Sequence, residues 1–310
     1  MRKLFPKNND KTRYLRYTNS LPAIKKPIGT RMKRYYLETN SLRKLNNQLL
    51  EIQDKCYTSS LSIFELISGI SQEQFEIRKR VISNVLFSEL YINWDFPEKI
   101  KIDSFPNLEI DERRVDDLKR LCEILIDSNN LEEFIELSNG LKYNYDFFNS
   151  LDSSYSKNFI NATEAGNERL KSIYSNEKNK NGKFFEKLAK EYVKSLPKTT
   201  KLNKSLTLTG LVNGIADSLE NISGKNTIDR DKLFYAYNGN INIFIEAFSL
   251  FAGLKSADLN LPAKNDFIDL HHLLYLGNNS NNIIISDDKL LLMITEQVLN
   301  TKEFLKTITE

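Results

Sequence analysis

Apolar residues recur in two rhythms along this chain, short unbroken runs and longer three-to-four-residue spacings. Their alternation predicts strands interleaved with helices. "RYYLETN", from residue 34, is a short aromatic and apolar run ending in Glu38-Thr39-Asn40, and it reads as a first strand. "SLRKLNNQLLEI" follows with Leu42, Leu45, Leu49 and Ile52 at helical spacing. "KCYTSS" reads as a second strand, and "SLSIFELISGI" opens a helix with Ser59 or Ser60 as its N-cap. "SQEQFEIRKRVISNVLFSEL" continues helical past Gly69, with Ser71 as the cap.

Beyond that point the period is helical for most of residues 95–255. "WDFPEKIKIDSFPNLEI" is turn- and strand-like around Pro97 and Pro106. "ERRVDDLKRLCEILI", "NLEEFIELSN", "ATEAGNERLKSIYSNE", "GKFFEKLAKEYVKSL" and "INIFIEAFSLFAGL" all carry the 3.6-residue period. Residues 176–183 and 223–232 read as exposed loops. No period of 20 to 50 residues repeats, which argues against a solenoid. After "NLPAKND" the chain gives a helix ("FIDLHHLLYL"), a strand ("IIIS"), a helix ("DKLLLMITEQVL") and a short tail. Strands near both ends with helices between them predict an α/β fold, its central sheet assembled from distant parts of the chain. The expected organisation is an arm over 1–33, a core formed by 34–94 and 256–310, and a large, mostly helical insertion over 95–255.

Composition and charge narrow the class. At 310 residues, 40% hydrophobic and 27% charged, the chain has the make-up of a soluble globular protein. No apolar run approaches the ~20 residues of a membrane span, and the basic N-terminus lacks the apolar stretch of a secretory signal. The two cysteines, Cys56 and Cys122, read as reduced thiols, which with the missing signal points to the cytoplasm. Net charge is unevenly placed. Residues 1–34 hold eleven Lys/Arg against one acid, Asp10, a net +10 that leaves the remainder at −7 within an overall +3. Tyr14 and Tyr17 interleave with those charges, a pattern suited to single-stranded nucleic acid. Arg13, Arg16, Lys25, Lys26, Arg31, Lys33 and Arg34 are the candidate contacts.

Four acids fall at element boundaries: Glu38 after the first strand, Glu65 on the helix after the second, Asp269 at the start of a late helix, and Asp288 after the late strand. In an open parallel sheet the C-terminal strand ends share one rim, where ligands bind. Glu38 and Asp288 meet there if their strands are parallel neighbours. Carboxylates brought together this way call for a hard cation such as Mg²⁺ or Mn²⁺. The matching chemistry is metal-assisted phosphodiester hydrolysis. The adjacent His271 and His272 point about 100° apart on a helix and cannot chelate one ion together; one of them near the cleft could contact phosphate, but a packed or capping role is the plainer reading. With no spaced histidine pair, cysteine cluster, phosphate-cradling glycine loop or Gly-x-Ser-x-Gly elbow, zinc hydrolase, nucleotide-binding and serine-hydrolase readings lose their support.

The ordered set of motifs resembles the PIN-domain nucleases. "YYLETNSL" resembles their strand–Asp–Thr–Asn opening, "TSSLSIFELISG" their Ser/Thr-rich strand end and glutamate-bearing helix, and "NDFIDLHHLLYLGNNSNNIIISDDKLL" their last two motifs. The resemblance covers about 100 residues, 30–90 and 260–300, and leaves the helical middle unmatched. It implies a PIN-like three-layer sandwich with a mainly parallel sheet. It further implies a Mg²⁺- or Mn²⁺-dependent endoribonuclease acting on single-stranded RNA, with Glu38, Glu65, Asp269 and Asp288 as metal-binding catalytic acids. The resemblance favours Asp288 in the tandem pair and leaves Asp287 either as a further metal ligand or as a neighbour that faces water, with Asn40, Ser286 and Asp266 implied as polar supports. Family members often dimerise and toxin-type members need an antitoxin, so a homodimer and a protein partner of that kind are also implied. One position departs from the pattern: Glu38 stands where the family usually has Asp. The alternative reading is a non-catalytic PIN-like module that binds nucleic acid or protein.

Overall fold

A computed structural model of the chain describes residues 33–105, 108, 113–154, 157, 187, 191, 204–220, 228–258, 263 and 265–309. Most of the basic arm, Arg13, Arg16, Lys25, Lys26 and Arg31 included, lies outside these residues. So do the expected loop at 176–183 and, apart from two positions, the expected helices over 162–177 and 182–196.

Five short strands make one sheet: β1 Arg34–Leu37, β2 Cys56–Ser59, β3 Tyr91–Asn93, β4 Asn282–Ile285 and β5 Val298–Leu299. Their order is β3-β2-β1-β4-β5, and every pairing is parallel. Consecutive residues of β1 (Tyr35, Tyr36, Leu37) and all four of β2 are buried, the mark of a sheet covered on both faces. β1 lies in the middle of this sheet; the chain builds outward through β2 and β3, then returns 189 residues after Asn93 to add β4 at Asn282 on the other side of β1. β1 and β4 are thus the place where strand order reverses, with Leu37 paired to Ile285 at their C-terminal ends.

Local chemistry explains where strands give way to helices. Glu38 caps helix Thr39–Leu45, Ser59 caps helix Ser60–Ile67, and Asp288 caps helix Lys289–Ile294, each with its side chain accepting from first-turn backbone N–H groups that have no partner within the helix. The expected strand-like stretch around Pro97 is instead helix Pro97–Asp103. Proline at its first position fixes φ for a helix and lacks only an N–H that would be unpaired there. The strand in this region is β3, immediately before it. The expected last helix is also interrupted. Thr295 turns extended after Ile294, β5 joins the sheet edge, and helix Thr301–Thr309 replaces the tail.

The principal core takes residues from the sheet and from the helical middle alike. Leu118, Leu121, Cys122 and Leu125 of helix Arg113–Asp127 enter it at i, i+3, i+4, i+7 spacing, as do Phe134 and Phe148. A smaller cluster joins Ile102 and Phe105 to Val212, Ile215 and Ala216 of the helix over 204–220. Both cysteines are buried and free, and burial pushes the Cys56 thiol up to about 12. Among the described residues, no helix is long and apolar enough to cross a membrane.

Candidate functional site

Glu38 leaves β1 directly into the crevice at the reversal point and is almost wholly buried. Its Oε2 accepts from Asn40 N at 2.7 Å, and its Oε1 accepts from Ser41 N at 3.1 Å. The Ser41 hydroxyl lies between that Oε1, at 3.1 Å, and the Ile285 carbonyl at the end of β4, at 2.5 Å. One residue therefore ties the caps of both central strands together. Burial raises the Glu38 pKa, against the helping charge of His272.

Glu65 reaches the same crevice from helix Ser60–Ile67. Its Oε2 accepts from the Thr39 hydroxyl and from His272 Nε2, the latter at 2.7 Å. His272 is 1% exposed, and its Nδ1 sits 2.6 Å from the Tyr36 hydroxyl, which in turn lies 2.6 Å from Ser59 Oγ. Burial alone would lower the His272 pKa. The Glu65 charge and hydrogen bond, with Glu38 and Asp269 behind them, raise it instead. Protonated, the ring donates Nε2–H to Glu65 and Nδ1–H to Tyr36, leaving the phenol to donate to Ser59. The result is a chain, Ser59–Tyr36–His272–Glu65–Thr39, buried over its first three residues and half-buried at Glu65 and Thr39.

Asp269, on helix Asp266–His271, has no hydrogen-bond partner for its carboxylate among the described residues. Burial raises its pKa to about 7, and the charges of Glu65, Asp288 and Glu38 add to that against the pull of His272. Glu38, Glu65, Asp269 and Asp288 are thus brought into one electrostatic neighbourhood from four separated segments. Asp288 Oδ1 accepts from Leu290 N at 2.7 Å and Leu291 N at 3.2 Å. The buried Ser286 accepts from Asp288 N at 3.1 Å and shapes that turn.

The other expected site residues go elsewhere. Asp287 turns away from its neighbour and accepts from Lys44 Nζ at 2.5 Å and from Thr301 N and Oγ1 at 3.0 and 2.7 Å. Although partial burial opposes it, those partners lower the Asp287 pKa. Asp266 pairs with Lys255 at 2.9 Å and accepts from Ala263 N at 2.8 Å. Asn40 contributes through its backbone N–H. Lys33 and Arg34 stand at the opposite, N-terminal rim, where the Arg34 guanidinium lies 5.1 Å from the Tyr57 ring and 5.6 Å from that of Tyr91. Sequence reasoning left out Tyr36, Thr39 and Ser41, and placed one histidine near the cleft without singling out His272 or its pairing with Glu65. The only signal for the last was that adjacent histidines on a helix must face different ways, so one of them could meet the acids.

The donor set left over is oxygen only, which suits Mg²⁺ or Mn²⁺. Among the described residues, neither Asp269 carboxylate oxygen nor Asp288 Oδ2 accepts a hydrogen bond, and Glu38 Oε2 carries one for two lone pairs. Among the described residues, no group of three or more His, Cys, Asp or Glu side chains is drawn together at metal-ligand spacing. Repulsion between like charges favours such separation. A cation held here would need Glu38, Asp269 and Asp288 to turn further toward one another. No family model, curated protein or solved structure matches the chain.

Proposed function

We propose that the chain is a PIN-like, metal-dependent endonuclease of single-stranded nucleic acid, RNA before DNA, built as a three-layer sandwich. The observation that supports this reading is that the charges of Glu38, Glu65 and Asp288 all act on Asp269 at the strand ends where strand order reverses. Glu38, Asp269 and Asp288 would hold Mg²⁺ or Mn²⁺. The ion, when bound, supplies Lewis-acid polarisation of the phosphate and a lowered pKa for the attacking water. The chain's own residues do the positioning. Ser41 and the Asn40 N–H hold Glu38, Ser286 sets the Asp288 turn, and His272 with Thr39 pins Glu65. Water adds to phosphorus and the 3′ oxygen departs with a proton, giving 5′-phosphate and 3′-hydroxyl ends.

A second reading, a binding module without turnover, draws on one observation: Glu65 already faces a buried imidazole as its counter-charge, which reduces the acids' demand for a metal. Cleavage of an end-labelled, unstructured RNA with Mn²⁺ decides between them. Under the first reading Asp269→Asn and Asp288→Asn each lose at least about 100-fold in rate. Asp269→Asn keeps or raises thermal stability in EDTA, because it removes a charge that burial and neighbouring acids disfavour. Equal rates in the parent and both variants would sink the site assignment. Binding in EDTA with no turnover under Mn²⁺ would establish the second reading.

A further inference from the structure

Leu50 and Phe87 are 70% and 74% exposed, and both line one cavity of about 230 Å³. Single apolar residues scattered over a surface need no explanation, but two that flank a shared cavity mark an interaction site. Helix Leu49–Ile52 leads into β2 and helix Phe75–Phe87 into the neighbouring β3, each after three residues. The cavity therefore lies toward the N-terminal ends of those strands, away from the acidic crevice at their C-terminal ends. The buried Leu49 adds a third apolar wall. A cavity of about 150 Å³ already holds benzene, so this one has room for a phenyl ring. Asn46 also lines it at 7% exposure, and its Oδ1 accepts no hydrogen bond among the described residues. A buried acceptor left unmet is costly, and an N–H brought from outside would meet it.

These features fit one another across a two-fold axis. Phe87 is a knob and the cavity beside it a hole, and an isologous contact needs both on one patch, because the patch must fit itself. Asn47 and Asn84, on the same patch, carry amide N–H groups of the kind Asn46 lacks. No lining residue is charged, so two copies meet without opposing like charges at the centre. Arg80, one helical turn before Asn84, and Glu51 and Glu89, next to Leu50 and Ser88, are exposed and supply both signs at the rim. We propose that this surface binds a second copy of the chain in a two-fold dimer, with Phe87 of each protomer seated in the cavity of the other. The crevice stays open in such a dimer, and nothing in it depends on the nuclease reading.

Sedimentation equilibrium of the full chain over a series of concentrations is the test. The expected result is a reversible monomer–dimer equilibrium that Phe87→Ser weakens by at least about 30-fold, the mark of a hot-spot residue, and Leu50→Ser by less. Both side chains stand mostly in water in one protomer, so the variants should keep the circular dichroism of the parent. Cys56 and Cys122 are the only cysteines and both are buried. A bismaleimide should therefore join two chains of Asn47→Cys through position 47, and adding Phe87→Ser should abolish the link. A parent that stays monomeric overturns the proposal. So does a dimer that Phe87→Ser and Leu50→Ser leave intact, since its contact would then lie on another surface.

Discussion

His271 and His272 are consecutive residues in opposite electrostatic surroundings. His272 lies among Glu65, Glu38 and Asp269, which raise its pKa against the effect of burial. His271 is equally buried but points the other way, and burial with the Lys101 charge lowers its pKa to about 3. Its Nδ1 lies 2.5 Å from the Phe267 carbonyl and its Nε2 lies 3.2 Å from Lys101 Nζ. The neutral tautomer with Nδ1–H donating to Phe267 and Nε2 accepting from Lys101 satisfies both contacts. A turn of about 100° on a helix thus separates a histidine built into an acid cluster from one built into a basic pocket. Residue type says little here, and side-chain direction decides the chemistry.

Removing the acid-side histidine should have the largest effect. His272→Ala leaves Glu65 and the Tyr36 hydroxyl without their shared partner at a site where the histidine is 1% and the glutamate 22% exposed. Breaking a buried ion pair by deleting one member costs about 3–5 kcal/mol, and the residual exposure of Glu65 places this case at the low end. Urea unfolding at pH 7 measures it. Glu65→Gln in the His272→Ala background should recover part of the loss, since it removes the stranded charge. No recovery would mean that packing around Tyr36, Tyr57 and Tyr275, and not the ion pair, is what the imidazole supports.

The basic-side histidine gives a smaller effect of opposite sign in pH. The folded pKa of His271 is depressed below the unfolded value of 6.5, so its contribution is complete above pH 6.5 and is lost as pH falls toward 3. The raised pKa of His272 does the reverse: its contribution is complete below 6.5 and is lost as pH rises through the folded value. Between pH 6 and 4 the His272 slope therefore fades and that of His271 grows toward about 1.4 kcal/mol per pH unit. The difference in unfolding free energy between the parent and His271→Gln across this window isolates it, because the carboxylate titrations are common to both. A parent and variant with parallel pH profiles would show that His271 titrates in the fold as it does in the unfolded chain.

The same argument about direction separates what could be read in the sequence from what could not. β1, β2 and β4 were legible because short apolar runs ended on polar caps, and parallel pairing of β1 with β4 follows the expectation that Glu38 and Asp288 share a rim. β5 was not legible: two residues, Val298 and Leu299, complete no period, and only pairing with Ile284 and Ile285 makes them a strand. Helix Pro97–Asp103 looks turn- and strand-like in the sequence because proline breaks helices everywhere but the first turn. The approach of Asp269 to the other acids follows from topology that motifs can suggest. The split between Asp287 and Asp288 does not, since it depends on Lys44 and Thr301 reaching the rim from elements 243 and 14 residues away.

That split sets the smallest expected effect. Lys44 is 54% exposed and Asp287 33%, so their pair is screened by water and worth at most about 1 kcal/mol. Asp287 also keeps Thr301 N and Oγ1 when the lysine is gone, so Lys44→Ala should move the urea midpoint only slightly. The variant should nonetheless leave the Asp269 titration unchanged, because the largest charges acting on Asp269 are those of Glu65, His272, Asp288 and Glu38. Carboxyl chemical shifts followed by NMR through pH 5 to 9 in EDTA measure this directly. A shift of the Asp269 midpoint in Lys44→Ala would mean that the Lys44–Asp287 pair and the acidic crevice act as one field. An unmoved midpoint would establish that two neighbouring aspartates serve two separate electrostatic surfaces.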